Sequence, residues 1–174
     1  MSRALVLAAC ATAVVAGALS GCADKDSPTA EPHFEREQLL DPETCRACHS
    51  EHYREWAGSM HAYASQDPVF LAMNRRGQAE TQGALGDFCV KCHAPLAVLE
   101  GATTDGLNLD EVPKHLQGVG CYFCHNVDAV QGTHDNPLHL SGDVTLRGGV
   151  KDPRPNRAHA SQYSVLFASP RVES

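Results

Sequence analysis

Three Cys-x-x-Cys-His motifs constrain this chain more than any other feature. They contain six of the eight cysteines in the 174-residue sequence. Two thiols three positions apart lie on one helical turn, where both can bond to the vinyl groups of one porphyrin while the next residue points its imidazole at the iron. The motifs therefore predict three covalently bound c-type haems. The attaching cysteines are Cys45, Cys48, Cys89, Cys92, Cys121 and Cys124, and the proximal iron ligands are His49, His93 and His125.

Zinc, disulfide and thiol-exchange chemistry explain these cysteines less well. Two CxxC pairs could form a tetrahedral zinc site, but a third pair would be left over. A disulfide framework is compatible with an exported chain. A thioredoxin-like protein carries a single CxxC motif, placed between a strand and a helix. None of the three explains a histidine after every second cysteine. We therefore expect haem attachment.

The first 21 residues predict an export signal. Arg3 is the only charge before an apolar run from Ala4 to Leu19, which is too short for a membrane span. The run ends in Leu19-Ser20-Gly21-Cys22, which resembles the lipobox of bacterial lipoproteins. Lipidation of Cys22 would anchor the protein to a membrane, and residues 22–38 would form a flexible tether. An ordinary signal peptide with an incidental cysteine is the alternative.

Residues 39–174 are within the usual size of one domain, and we expect a single triple-haem domain there. The formal net charge is −7, and it becomes more negative when Arg3 leaves with the signal peptide. This acidity argues against a nucleic-acid partner and suits redox partner proteins with a basic docking face. A quinol-linked or terminal oxidoreductase is one such partner.

Short helices are predicted around the motifs. Asp41-Pro42-Glu43 and Asp67-Pro68 each place a capping aspartate before a proline, as at helix N-termini. The first helix would carry the first motif as far as Gly58, and the second would end by Gly77. The second and third motifs are each predicted on only a turn or two of helix.

Irregular loop is predicted from Gly101 onward. This part is rich in Gly, Pro, Asp and Asn and has no sustained period of 2 or 3.6, apart from a brief turn near residues 113–116. Apolar residues are mostly Ala and Val in short runs, so porphyrins must supply much of the core. The fold class is therefore expected to be mainly α with much irregular loop, with short helices packed around covalently bound haems.

A sixth ligand decides what each iron can do. His52 follows His49 by three residues, so on one helix it points from the same face and cannot reach the opposite side of that haem. His33 lies in the tether. Met73 and Met60 could also ligate, although Met73 in its apolar run is expected in the core. The remaining candidates are His61, His115, His134, His139 and His159.

The stretch from Cys45 to His61 resembles the multihaem cytochromes related to the tetrahaem electron acceptor of hydroxylamine oxidoreductase, the cytochrome c-554-like family. The likeness includes SMHA at 59–62 and continues through DPVF at 67–70, FCVKCHAP at 88–95, GVGCYFCHNV at 118–127 and HASQYSVLF at 159–167. It implies that His61 and His159 are distal ligands. In the family another CxxCH usually follows such a C-terminal segment, so we expect either a shortened member or part of a longer reading frame.

Electron transfer is the expected function. Three low-spin, mainly bis-His haems would sit in a lipoprotein facing the periplasm of a bacterial cell envelope, with the outer membrane as one destination. No catalytic residue is assigned. The alternative is a reductase or oxidase of a small nitrogen or sulfur compound, with one five-coordinate haem beside Tyr122, His134 or Arg147. A structural or docking subunit whose haems merely hold the fold is a third class.

Overall fold

The computed structural model describes residues 34–167. The predicted signal peptide, Cys22, His33 and the rest of the predicted tether as far as residue 33 lie outside this range. Residues 34–38, predicted as the end of the tether, are described, and a helix begins there at Arg36. No helix among the described residues is both long and apolar enough to span a bilayer. The helices are α1 Arg36–Leu39, α2 Pro42–Arg46, α3 Ser50–Ala57, α4 Pro68–Glu80, α5 Val90–His93, α6 Pro95–Leu99 and α7 Cys121–His125, with a 3₁₀ turn at Lys114–Leu116. The strands are β1 Val127–Val130, β2 Leu138–Leu140, β3 Thr145–Gly148 and β4 Ala160–Tyr163.

Both predicted helix starts are confirmed by their caps. The Asp41 carboxylate accepts a hydrogen bond from the Glu43 amide at 3.0 Å, and Asp67 accepts one from the Phe70 amide at 2.7 Å. In each case proline occupies the first helical position, where its missing N–H costs nothing. These caps fix the direction in which α2 and α4 leave their preceding loops.

Two predicted helix boundaries are wrong. The first helix is split into α2 and α3, because the His49 backbone leaves helical values at φ −118° and ψ 48°. The second helix continues past Gly77 to Glu80. A side chain at Gly77 would lie 2.7 Å from the Leu85 Cδ2 atom, so the glycine here serves close packing rather than helix termination.

Short helices and much loop occur as predicted, but four short strands also occur where only loop was expected. β1 and β2 pair antiparallel, and β3 and β4 pair parallel with Thr145 opposite Ala160. Each strand has only three or four residues, which is too short for an alternating apolar pattern to emerge. Short helices, four short strands and much loop therefore make up the described chain.

The core lies between the motifs and is built from α1, α6 and α7. Leu39, Leu96 and Tyr122 are buried in it. At its edge Arg36 forms a bidentate ion pair with Glu100, and its guanidinium lies 5.7 Å from the centre of the Tyr122 ring. This contact joins three helices that are distant in sequence.

A strap joins the segment before the third motif to the turn after the first. The Val119 amide donates to the His61 carbonyl at 2.8 Å, and the Trp56 indole N–H donates to the Val119 carbonyl at 2.8 Å. Gly118 has φ 66°, and a side chain there would lie 2.4 Å from the Ala62 carbonyl oxygen. Only glycine permits this approach.

Candidate functional site

The first and third motifs open onto one cavity, which we name cavity one. Its volume is about 540 Å³, and it is lined by Cys45, Cys48 and His49 of the first motif and by Cys121 and His125 of the third. Strands β3 and β4 and the loop between them form the facing wall. The volume lies in the range of small-molecule and cofactor sites.

His159 faces His49 across cavity one. Their ring centres are 6.5 Å apart, with ring planes tilted by 36°. Metal–imidazole bonds are about 2 Å long, so two histidines on opposite sides of one metal ion have ring centres roughly 6 Å apart. The His159 Nδ1 atom lies 3.0 Å from the Ala160 carbonyl, which leaves Nε2 as the ring nitrogen available to a metal. The pair thus has the spacing of two axial ligands.

The surroundings of His49 favour its neutral form, which is the form that binds metals. Its pKa is lowered by partial burial and by the nearby rings of His159, His52 and His125. A neutral imidazole is the ligating species, so these neighbours act in the same direction as metal binding. His52 stacks on His49 at 6.1 Å, and its side chain is 82% exposed.

A backbone carbonyl orients His125. Its Nδ1 atom lies 2.7 Å from the Arg147 carbonyl oxygen on β3. Donation from Nδ1 fixes the tautomer and leaves Nε2 free to coordinate iron, which is the usual outer-shell arrangement of metal-bound histidine. This contact could not be predicted from a local sequence pattern, because it joins residues 22 positions apart.

Asn126, which directly follows the third motif, fixes the segment that carries the Arg147 carbonyl. Its fully buried amide donates to the carbonyls of Asp143 and Thr145 at 3.1 Å each and accepts from the Gly142 amide at 2.7 Å. The Arg147 guanidinium, also buried, adds a bond to the Ser141 hydroxyl at 2.9 Å. Segment 141–147, which runs from the end of the β2–β3 connection into β3, is therefore fixed to the motif whose histidine it orients.

The second motif opens onto a separate cavity of about 530 Å³, which we name cavity two. Cys89, Cys92 and His93 line one side, and α4 lines another. The His93 Nδ1 atom lies 2.9 Å from the Ala64 carbonyl, so this histidine is oriented in the same way as His125. The Phe70 ring stacks on His93 at 3.9 Å with planes 5° apart.

Three large apolar side chains on the wall of cavity two face solvent. Val69 is 68% exposed, Met73 is 60% exposed and Phe88 is 55% exposed. A cluster of this kind marks a surface that an apolar partner covers. A porphyrin attached at Cys89 and Cys92 would cover it, so the cavity walls fit the group that the motif chemistry implies.

The thiols of Cys45 and Cys121 contact each other. Their hydrogen bond lowers the pKa of Cys45 and raises that of Cys121, and burial adds to the rise. Haem attachment would remove both titrations, because each thiol becomes a thioether.

The other candidate distal ligands lie away from both cavities. His61 is exposed, His115 is half-buried on the 3₁₀ turn, and neither lines cavity one or two. The His139 imidazole pairs with Asp128 at 2.6 Å, and the His134 imidazole lies 2.6 Å from the Thr133 hydroxyl. Their ligation therefore stays a prediction.

Paired thiols, carbonyl-oriented histidines and apolar cavity walls together define a c-type cytochrome. The family model described as cytochrome c554 and c-prime matches residues 44–126, which include all three motifs. For this segment the match confirms the resemblance to the cytochrome c554-like family that the sequence predicted. A match of this kind supports covalently bound c-type haem and haem-based electron transfer. Comparisons with curated proteins and with solved structures found no match.

Proposed function

We propose that this protein is a periplasmic electron carrier that passes electrons through three c-type haems, one at each motif. One observation carries the proposal: the first and third motifs share cavity one, where the Cys45 and Cys121 thiols touch. Haems attached to these sulfurs would approach each other closely. Bound haem supplies the one-electron chemistry, and the chain holds its ligands in fixed positions.

The held ligands favour fast one-electron transfer. His93 and His125 are oriented by backbone carbonyls, and we assign His159 as the distal partner of His49. When neither axial ligand leaves and neither rotates, a change of oxidation state needs little reorganisation. This supports a carrier in which the protein tunes each iron through hydrogen bonds and burial.

The groups that an enzymatic haem would need have other partners. The buried Tyr122 hydroxyl donates to the Asp143 carbonyl at 2.8 Å, and the Arg147 guanidinium is bonded to Ser141 and to backbone carbonyls. His134 lies beside Thr133 at the tip of the β1–β2 hairpin. No observation in residues 34–167 favours the reductase or oxidase alternative.

The cellular setting rests on the sequence. The export signal and Cys22 support a lipoprotein of the bacterial envelope that faces the periplasm, and the net charge of −7 supports a redox partner with a basic face. The tether would let the haem domain reach such a partner from the membrane. A quinol-linked or terminal oxidoreductase fits this chemistry.

Intact mass spectrometry of protein produced in an exporting, haem-attaching host tests the proposal. We expect three haems and an acylated N-terminus. A mass with fewer haems would contradict the triple-haem proposal. Electron paramagnetic resonance of the oxidised protein then reports the spin state of each iron.

The His159→Ala variant tests the assigned ligand pair. We expect one iron to become high-spin while all three haems stay attached, because the thioether bonds do not depend on His159. The His52→Ala variant is the matched control, since His52 also stacks near His49 but projects into solvent. An unchanged spectrum for His159→Ala would reject the assignment.

A further inference from the structure

We propose that Met73 supplies the sixth ligand of the iron bound at the second motif, so that this haem has His93/Met73 ligation. The inference rests on the proposed attachment of a haem at Cys89 and Cys92. It assigns a ligand to one haem of a protein for which mainly bis-His ligation was expected, and it would make the second haem chemically different from the first.

The exposure of Met73 is the first observation. The sequence placed this residue in the core, yet its side chain is 60% exposed and lies on the wall of cavity two. Its neighbours on that wall include Val69 and Phe88, which are also largely exposed. A haem in this cavity would therefore contact Met73 directly, and its thioether sulfur has the chemistry of an established axial ligand.

The helix that carries Met73 also supports the proximal histidine. Phe70 stacks on the His93 ring, and Met73 follows Phe70 by three residues on the same face of α4. Phe70, Met73 and His93 all line cavity two, so α4 presents both of its side chains to the cavity onto which the second motif opens.

Histidine competes poorly for this position. Among the described residues that line cavity two, His93 is the only histidine. His134 is the nearest rival in sequence, because Asp135 and Asn136 of the same hairpin tip line the cavity. The tip is tied down, since the Asn136 amide donates to the Lys91 carbonyl at 2.7 Å while the His134 ring lies against Thr133.

A methionine ligand would give the three haems different roles. Neutral thioether ligation raises the reduction potential relative to a second imidazole. The haem in cavity two would then hold electrons more strongly than the haems in cavity one. Electrons that enter at cavity one would then be transferred to the haem in cavity two.

The Met73→Leu variant tests the proposal on the haem-loaded protein, with Met60→Leu as control. Met60 is also 60% exposed, but its sulfur accepts a hydrogen bond from the Tyr63 hydroxyl at 2.8 Å and lies outside both cavities. Wild type and Met60→Leu should show the strongly upfield methyl resonance of an iron-bound methionine in the reduced state. In Met73→Leu we expect this resonance to vanish and one of the midpoint potentials to fall.

Three results would overturn the assignment. These are a wild-type protein without the methionine resonance, a resonance that survives in Met73→Leu, and a low-spin signal lost instead in His134→Ala. Intact mass separates this failure from failure of the proposed function. Three attached haems without a methionine signal reject Met73 alone, whereas a second motif without haem rejects the triple-haem carrier.

Discussion

Replacing Asn126 by alanine should lower the free energy of unfolding of the haem-loaded protein by about 3 kcal/mol. The variant loses two hydrogen bonds at 3.1 Å, to the Asp143 and Thr145 carbonyls, and one at 2.7 Å from the Gly142 amide. A buried hydrogen bond contributes about 1 kcal/mol net, and a partner left unpaired costs roughly as much or more. Three such bonds around a fully buried amide therefore give this magnitude.

The same substitution should also change one haem. Segment 141–147 carries the Arg147 carbonyl that accepts a hydrogen bond from His125, so loosening this segment weakens that hydrogen bond. The imidazole then becomes a poorer electron donor, and we expect the midpoint potential of the third haem to rise. A purely structural role for Asn126 would lower stability and leave all potentials where they are.

Guanidinium titration followed by haem absorbance measures the stability change, and a spectroelectrochemical titration measures the potentials. Asn108→Ala is the matched control, because its amide makes a single bond, to the Ala102 carbonyl at 3.1 Å, outside both cavities. We expect about 1 kcal/mol for the control and no change of potential. An Asn126→Ala variant as stable as the control would refute the reasoning.

Two further predictions concern the strap and the loop. Gly118→Ala should lower the free energy of unfolding by at least about 3 kcal/mol, because it combines positive φ with a 2.4 Å approach to the Ala62 carbonyl oxygen. Gly142→Ala is the control, at φ 72° with open space around it, and should cost about 1 kcal/mol. Equal losses of stability in thermal or chemical unfolding would contradict this prediction. Although burial raises the pKa of Asp143, hydrogen bonds from Ser141 and the Thr145 amide and the charge of Arg147 outweigh it and leave the pKa lowered. Its contribution to stability is therefore complete above the unfolded pKa of about 3.9 and is lost as pH falls through the lower folded value. The difference in unfolding free energy between wild type and Asp143→Asn should consequently decrease as the pH is lowered. A difference that does not depend on pH would contradict this linkage.

Features that depend on neighbouring residues could be predicted from the sequence. The caps at Asp41 and Asp67 need only the next three residues, and both formed as expected. The end of α4 could not be predicted in this way, because Gly77 is tolerated within the helix by packing against Leu85, which belongs to the following segment. Local chemistry sets where helices begin, and distant packing decides where this one ends.

The same distinction applies to the candidate site. The motifs could be recognised from spacing alone, and the family match at residues 44–126 confirms the class to which they belong. The carbonyls that orient His93 and His125 could not, because Ala64 and Arg147 are ordinary residues in sequence. His159 meets His49 only because β4 pairs with β3, and these strands were too short to be predicted.

Cavity one is closed by the two ends of the described domain, since Cys45 lies near its beginning and His159 near its end. Cavity two is built mainly from the middle, between Asp67 and His93, with the hairpin tip added. Closing a long chain segment costs more conformational entropy and slows folding. The absorbance of the haems in cavity one would thus report the folding of the whole domain. The absorbance of the haem in cavity two would report the folding of a local unit.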